Sequence, residues 1–436
     1  MKKTGLLIVS FLLTTVIAMS QSTDQVETKS KSKSKWHLTY DNKYRLKFFG
    51  RISADGAFFE GEDFQKIANG TTISQLAFGG IFSFGERIEG KFELDFSNGK
   101  VTLLDNYVTY FFSKEFGVRG GNIQEAFSMD LLNSFKDLSL MNRAQVVNAL
   151  APGHHLGLQA VFENNQFLLT GGVHFQRSMV IGQKENSDSN YTKGQNEGFS
   201  VTGRAVWMPQ NISKEKGFHL GIAGSYRTPK TDVAKDAEPN IVRYRASEST
   251  INQIRFLDTG IINEVDYSWL GGAEIAGYYG PAKFQAEYIH SGIERKNDLK
   301  SERFSGFYIQ ASSLLFGGKQ DYNNSRGALN SPIVSKKGDL ELVARFDRIN
   351  LNGTNVKGGS SNQSTLGFNY YINENLKIQF NYSYITHDKY ANANQTAAIG
   401  FADNGELTNV HEEVDFTKGK PQNNYHGFNF RFQLRF

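Results

Sequence analysis

From Tyr44 onward, apolar and polar residues alternate along the chain with a period of two. Ile88, Gly90, Phe92, Leu94 and Phe96 alternate with Glu89, Lys91, Glu93 and Asp95. Phe167, Leu169, Gly171, Val173 and Phe175 form a second series, and Leu376, Ile378, Phe380, Tyr382 and Tyr384 a third. The last sets Phe428, Phe430, Phe432, Leu434 and Phe436 against Asn429, Arg431, Gln433 and Arg435. Successive side chains of a strand point to opposite faces, so each segment has one oily face and one polar face. The pattern predicts sixteen strands, at 44–59, 73–84, 87–98, 101–112, 117–124, 156–163, 166–176, 198–209, 217–228, 264–279, 282–293, 303–314, 338–350, 362–372, 375–388 and 425–436.

A soluble sandwich would alternate as well. Segment length and parity separate the two cases. Most segments reach the roughly 9–11 residues that cross a bilayer when tilted; 117–124 and 156–163 are shorter. With the N-terminus on the periplasmic side, the turns Phe84–Arg87, Glu163–Gln166, Tyr279–Ala282 and Ile372–Asn375 share one end. The long segments 125–155, 177–197, 229–263 and 389–424 share the other. An even strand number, short periplasmic turns and long external loops predict a transmembrane antiparallel β-barrel. Segment 315–337 is the exception, long but on the periplasmic side.

Composition agrees with many paired strands. The chain holds 43 Gly, 35 Phe and 19 Tyr but only 7 Pro, and Pro cannot donate to a ladder. The mean hydropathy of -0.44 suits a barrel whose polar and apolar positions alternate. The absence of cysteine excludes disulfides, thiolate metal sites and a thiol nucleophile. No stretch approaches 18 consecutive apolar residues, which excludes spanning helices. Residues 1–20 read as a secretory signal: Lys2 and Lys3 precede the apolar run Gly5 to Ala18, and Ala18-Met19-Ser20 supplies small residues for cleavage before Gln21. Residues 21–43, with Lys and Ser alternating from Lys29 to Lys35, read as a flexible polar extension. The barrel domain then covers 44–436. The formal charge of +4 loses two lysines with the signal, too even a balance for nucleic acid.

Several stretches resemble the phosphate-selective porins of the O and P type. Gly90 to Phe96 followed by Val101 to Tyr110 is similar to that family's third and fourth strands. Gly121 to Ser128 resembles the opening of its large third loop, with Met141-Asn142-Arg143 and Ala151 to Gly157 as the descending arm. Asp258-Thr259-Gly260, Tyr279-Gly280-Pro281, Phe307 to Ala311 and Gly338 to Leu342 continue the match, so that it spans most of 44–436. The resemblance implies a sixteen-stranded trimeric outer-membrane porin with loops folded into the lumen, including a periplasmic one that accounts for 315–337. It also implies passage of small anions such as phosphate or polyphosphate, with no cofactor. Family members often carry Lys where this chain has Gln124, and Arg where it has His154 and His155; those differences take cations out of the constriction.

An anion path needs fixed positive charge close to it, and the planar Arg fork suits phosphate best. Inward-facing wall cations include Arg51, Lys91, Arg204, Lys283, Arg345, Lys377, Arg431 and Arg435; Asp55, Glu89, Glu93, Asp95, Asp105, Glu287, Glu341 and Asp347 roughly cancel them. Selectivity is therefore expected from the loops. Arg243 and Arg245 share a face in an extended chain, and a corresponding Arg-x-Arg stretch of the family leads anions inward; surface pairing with Glu238 and Glu248 is the plainer reading. Arg143 is a further candidate, or a pin to Asp95 or Asp105. Segment 315–337 sets Lys319, Arg326, Lys336 and Lys337 against Asp321; these are path residues or solvated turn residues. Gly85 to Lys91 matches a phosphate-loop spacing, but Phe92 replaces the Ser or Thr it requires. The alternatives are a general porin without ion preference, a barrel enzyme using His174, His219 or His290 beside a serine, and a plugged structural barrel. During biogenesis the terminal Phe436 resembles the signal read by barrel-assembly machinery.

Overall fold

The computed structural model describes residues 37–40, 43–99, 101–175, 195–209, 215–232, 240–252 and 254–436. The proposed signal and most of the polar extension lie outside them, as does most of segment 177–197. Sixteen strands form the wall. β1 to β8 are Tyr44–Glu60, Gly70–Phe84, Ile88–Asp95, Thr102–Phe111, Phe116–Gln124, His154–Glu163, Phe167–His174 and Ser200–Trp207. β9 to β16 are Lys216–Arg227, Val265–Tyr279, Ala282–Arg295, Glu302–Leu314, Asp339–Asn352, Lys357–Tyr371, Leu376–His387 and Tyr425–Arg435. Each pairs antiparallel with its neighbours in sequence, and β16 pairs back onto β1 from Arg51↔Arg435 to Glu60↔His426. The sheet is thus a closed barrel. At the seam, Gly50 and Phe436 exchange both backbone hydrogen bonds at 3.1 Å. A Cβ on Gly50 would lie 2.4 Å from the Phe436 ring, so the glycine leaves room for the terminal aromatic.

All sixteen expected strands are present, with ends that move for local reasons. β14 starts at Lys357 rather than 362; Lys-Gly-Gly-Ser-Ser carries no apolar alternation, yet its backbone still pairs. β3 stops at Asp95 because Ser97–Gly99 turns into a short 3-10 helix. The two faces follow the period. Leu158, Ile222 and Ile309 are 64%, 67% and 56% exposed on the outer surface, while Ser53, Glu341 and Asp347 on the inner face are fully buried. Aromatic pairs gather at the short-turn end, among them Tyr44 with Phe84 and Phe112 with both Tyr110 and Phe116, as expected where a barrel wall meets a membrane interface.

The lumen is not empty. The 125–153 loop crosses it, carrying the short helices α1 (Met129–Leu132) and α2 (Gln145–Leu150). Ser128 caps α1, its Oγ accepting from the Leu131 N–H at 3.2 Å. Wall carboxylates take the next amides: Met129 N–H donates to Glu274 at 2.8 Å and Asp130 N–H to Glu287 at 2.7 Å. Farther along, Ser139 donates to Glu341, Met141 to Asn381 and Gln145 to Gln363. The external segment 229–263, where described, also turns inward: Thr250 Oγ1 donates to Asp55 at 2.7 Å and Ser249 Oγ to Asn429 at 2.8 Å. From the opposite end, segment 315–337 enters too. Arg204 on β8 holds the carbonyls of Arg326 and Gly327 at 2.9 and 2.7 Å, and Ser331 Oγ donates to Asp137 of the crossing loop at 2.6 Å.

Candidate functional site

The inward loops divide the lumen unequally. Against β10 to β13, β15 and β16, α2 and the external loops build an apolar core that includes Val146, Val147, Phe256, Leu257, Ile293, Phe304, Ile349 and Tyr425. Against β3 to β7 they leave a cavity of about 270 Å³. Its floor and rim come from three sources. The wall supplies Arg51, Lys91, Glu93, Tyr107, Arg119 and Gln159; the 125–153 loop supplies Asn133, Phe135 and Arg143; the periplasmic segment supplies Asn323, Ser325 and Arg326. Five cationic side chains line it against the three carboxylates Glu89, Glu93 and Asp105, with His154 beside them.

Most wall charges are neutralised in place. Arg51 bonds Glu93 at 2.6 Å and Gln75 at 3.0 Å. Lys91 sits 2.8 Å from both Glu93 and Asp105. Arg204 pairs with Glu274 at 2.7 Å, Arg345 with Asp347 at 3.0 Å, and Arg431 forms a two-bond fork with Asp55 at 2.7 Å. Arg345 and Arg431 also hold carbonyls of the crossing loop, those of Asn142 at 2.8 Å and Met141 at 3.0 Å. Asp95 accepts from the N–H groups of Leu76 and Ser97. The cancellation read from composition is therefore a set of actual pairs, and several of them serve to hold the loop.

Arg143 behaves differently. It is 7% exposed and pairs with neither Asp95 nor Asp105; Nη2 donates to the Asn133 carbonyl at 2.7 Å, and the guanidinium lies 4.5 Å from the Phe135 ring centre. Its Nη1 is buried with no acceptor among the described residues. Burial lowers its pKa from the usual value, while Asp130 and Glu287 act in the opposite direction.

The other loop candidates are dispersed. Arg326 lines the cavity. Lys319 pairs with Glu215 on the exposed short-turn rim, and Lys336 and Lys337 are exposed at the turn before β13. Arg243 grips Asp258, Nε to Oδ1 at 2.7 Å, instead of Glu248, which takes His387 and Tyr425; Glu238 lies outside the described residues. Arg245 is exposed beside Asp258 through an isolated bridge. Arg255, unforeseen from the sequence, joins them: burial and the charges of Arg245 and Arg243 lower its pKa, against the pull of Asp258. Arg243 thus holds Asp258 on the external loop, with Arg245 and Arg255 near the same carboxylate. The histidines considered for catalysis do not meet a serine hydroxyl among the described residues; His219 bonds Tyr322 and Glu274.

Arg119 is the cavity residue that the sequence reading missed. Strand β5 hides it between Gly117 and Gly120-Gly121, and its alternation is broken: Asn122 bonds the carbonyls of Leu103 and Leu104, while apolar Ile123 lines the cavity. Gly121 has φ +140°, and a Cβ there would lie 2.3 Å from the Asn106 carbonyl. Only glycine fits at this rung.

Comparisons with known proteins agree with this architecture. The phosphate-selective porin O and P family matches residues 47–410. An uncharacterized protein of Caulobacter vibrioides is 25% identical over 329 residues, 72% of this chain; the match spans 63% of that protein's length. Porin O of Pseudomonas aeruginosa is 23% identical over 398 residues, covering 82% of this chain and 86% of that one. In fold, the chain is similar to the outer-membrane-expressed OmpT of Vibrio cholerae, with a TM-score of 0.52 at 13% identity over 91% of this chain and 99% of that one. The trimer form of in-vitro folded OmpT gives 0.51 at 12% identity, covering 89% and 99%. A closed barrel with an apolar outer face, a loop-narrowed lumen and a family match along most of its length place this chain among the phosphate-selective porins O and P, proteins of the bacterial outer membrane.

Proposed function

We propose that the protein is a passive channel for small anions, phosphate among them, whose path runs through the cavity against β3 to β7. Arg143 carries the reading. A buried guanidinium with an unused donor is costly unless something supplies an acceptor; Nη1 has none among the described residues, and the guanidinium borders a cavity with more cations than carboxylates. A permeating oxyanion is such an acceptor, held weakly enough to leave. Arg243, Arg245 and Arg255 would gather anions at the external end. Assembly as a trimer, export with loss of residues 1–20 and recognition of Phe436 by barrel-assembly machinery belong to the same proposal; trimerisation draws support from the Vibrio OmpT likeness.

The test is the reversal potential of the purified protein in a planar bilayer under a potassium chloride gradient. The expected sign is that of anion preference, with phosphate reducing the chloride current. A reversal potential near zero would replace this reading with the general porin, which the paired wall charges favour.

A further inference from the structure

Arg51, Lys91, Arg204, Arg345 and Arg431 each meet a carboxylate on the wall. Arg119 does not. It stands on β5 opposite Thr109 and Gln159, two rungs toward the short-turn end from Gly121 and Tyr107. Its guanidinium lies 4.9 Å from the Tyr107 ring centre, and its Nε is buried without an acceptor among the described residues. Arg326 reaches the same cavity from the periplasmic segment, and its side chain makes no ion pair with a carboxylate among the described residues. The backbone carrying Arg326 is nonetheless fixed, clamped by Arg204 through two carbonyls. A structural arginine on this wall is paired; two that are positioned but unpaired, facing one cavity, leave their terminal Nη groups for a solute. Two planar forks suit an oxyanion that can accept bidentate bonds from each.

We propose that Arg119 is a selectivity-determining residue and that, with Arg326, it forms a second anion station between Arg143 and the periplasmic mouth. The station rests on the anion-channel reading above. An ion leaving Arg143 would meet a second set of donors beside Tyr107 before it regains its full hydration.

The chain has no cysteine, so Arg119→Cys can be modified alone. In planar bilayers Arg119→Cys should lower the anion-to-cation permeability ratio by about threefold, since a charge lining a narrow path is poorly screened. A cationic methanethiosulfonate reagent should restore the ratio, and an anionic one should lower it further. Arg119→Lys should keep the ratio but weaken the phosphate block of chloride current. A residue that only supports the wall would not make selectivity follow the sign of the attached charge. If neither reagent changes current or ratio in assembled Arg119→Cys, the proposal fails. The anion-channel reading fails separately, in the unmodified protein's reversal potential. Should Arg119→Cys not assemble, Arg326→Cys, on a loop, takes the same two reagents with the same expected signs, and its indifference to them would overturn the station.

Discussion

Against β3 to β7 the lumen is polar, charged and open; against β10 to β13, β15 and β16 it is filled with apolar side chains. The strands of both halves alternate alike, but the filled half also turns apolar wall residues inward, among them Ile293, Phe304 and Ile349. The loops widen that difference. On the filled side α2 delivers Val146, Val147 and Leu150, and the external segment delivers Phe256 and Leu257. On the open side the same 125–153 loop delivers Asn133, Phe135 and Arg143. A wall of alternating strands therefore makes a barrel, while the inward loops decide which part of it can conduct. The filled half also explains how a loop can stay put in a wet lumen: burial of its apolar side stabilises it, and wall carboxylates take its exposed amides.

The contrast breaks most severely at Phe256. It is fully buried and packs, with tilted rings, against His387 and Tyr425, ring centres 4.9 and 5.9 Å away. Phe256→Ala should cost about 3–5 kcal/mol of stability, the range for emptying a packed aromatic site, and should loosen the external loop enough to raise single-channel conductance. Phe135→Ala, in the open half where Phe135 is 36% exposed, should cost much less and act on selectivity through Arg143. Thermal unfolding in detergent, read with conductance, checks both. Equal losses of stability would mean that the two halves are not packed differently.

The barrel was legible in the sequence because its signal repeats sixteen times and any one weak segment is corrected by its neighbours. Even 117–124 and 156–163, short as they read, became β5 and β6. The periplasmic segment 315–337 stood out as the long connection at the wrong end, and it does enter the lumen. The site was less legible, for two physical reasons. Summing wall charges shows that they cancel but not that Arg51, Arg204 and Arg431 are consumed in pairs, since pairing depends on register across strands. Arg119 was lost because glycines and the Asn122–Ile123 inversion erase the local alternation. The partner of Arg243 was also out of reach: Asp258 lies fifteen residues away across a loop closure, whereas proximity in sequence suggested Glu238 and Glu248.

A smaller effect sharpens the boundary between the crossing loop and the periplasmic segment. Asp137 bonds Ser331 and faces Lys136 and Arg435. Burial raises its pKa, but Lys136, Ser331 and Arg435 outweigh that and bring it down from 3.8 to about 2. A depressed carboxylate pKa contributes stability that is present above the unfolded value and lost as pH falls through the folded one. The contribution, about 2 kcal/mol, should thus hold above pH 4 and disappear toward pH 2. Asp137→Asn should be less stable than the unmodified protein at pH 5, and the gap should close as the pH approaches 2. A gap independent of pH in thermal unfolding would show that the charge of Asp137 is not what ties the two loops.

The smallest effects belong to charges outside both halves. Arg243 and Arg245 lie on the external loop with Arg255 near Asp258, whose fork with Arg243 already offsets one charge. Neutralising Arg243 and Arg245 together should lower the anion-to-cation permeability ratio by less than Arg119→Cys does. Their influence is concentrated at the mouth and fades within about 8 Å at physiological ionic strength. Replacing both with Lys should preserve most of the charge preference and weaken any phosphate block, because Lys lacks the planar fork. Lys336 and Lys337 provide the matching control at the other end. They are exposed at the turn before β13 and do not line the cavity, so their double neutralisation should leave the ratio nearly unchanged. The informative failure is an inverted order. If the Lys336 and Lys337 pair moves the reversal potential more than Arg243 with Arg245, and more than Arg119, then selectivity is set at the periplasmic rim and not in the open half of the lumen. The cavity would then be a passage without a filter, and the general-porin reading would describe it better.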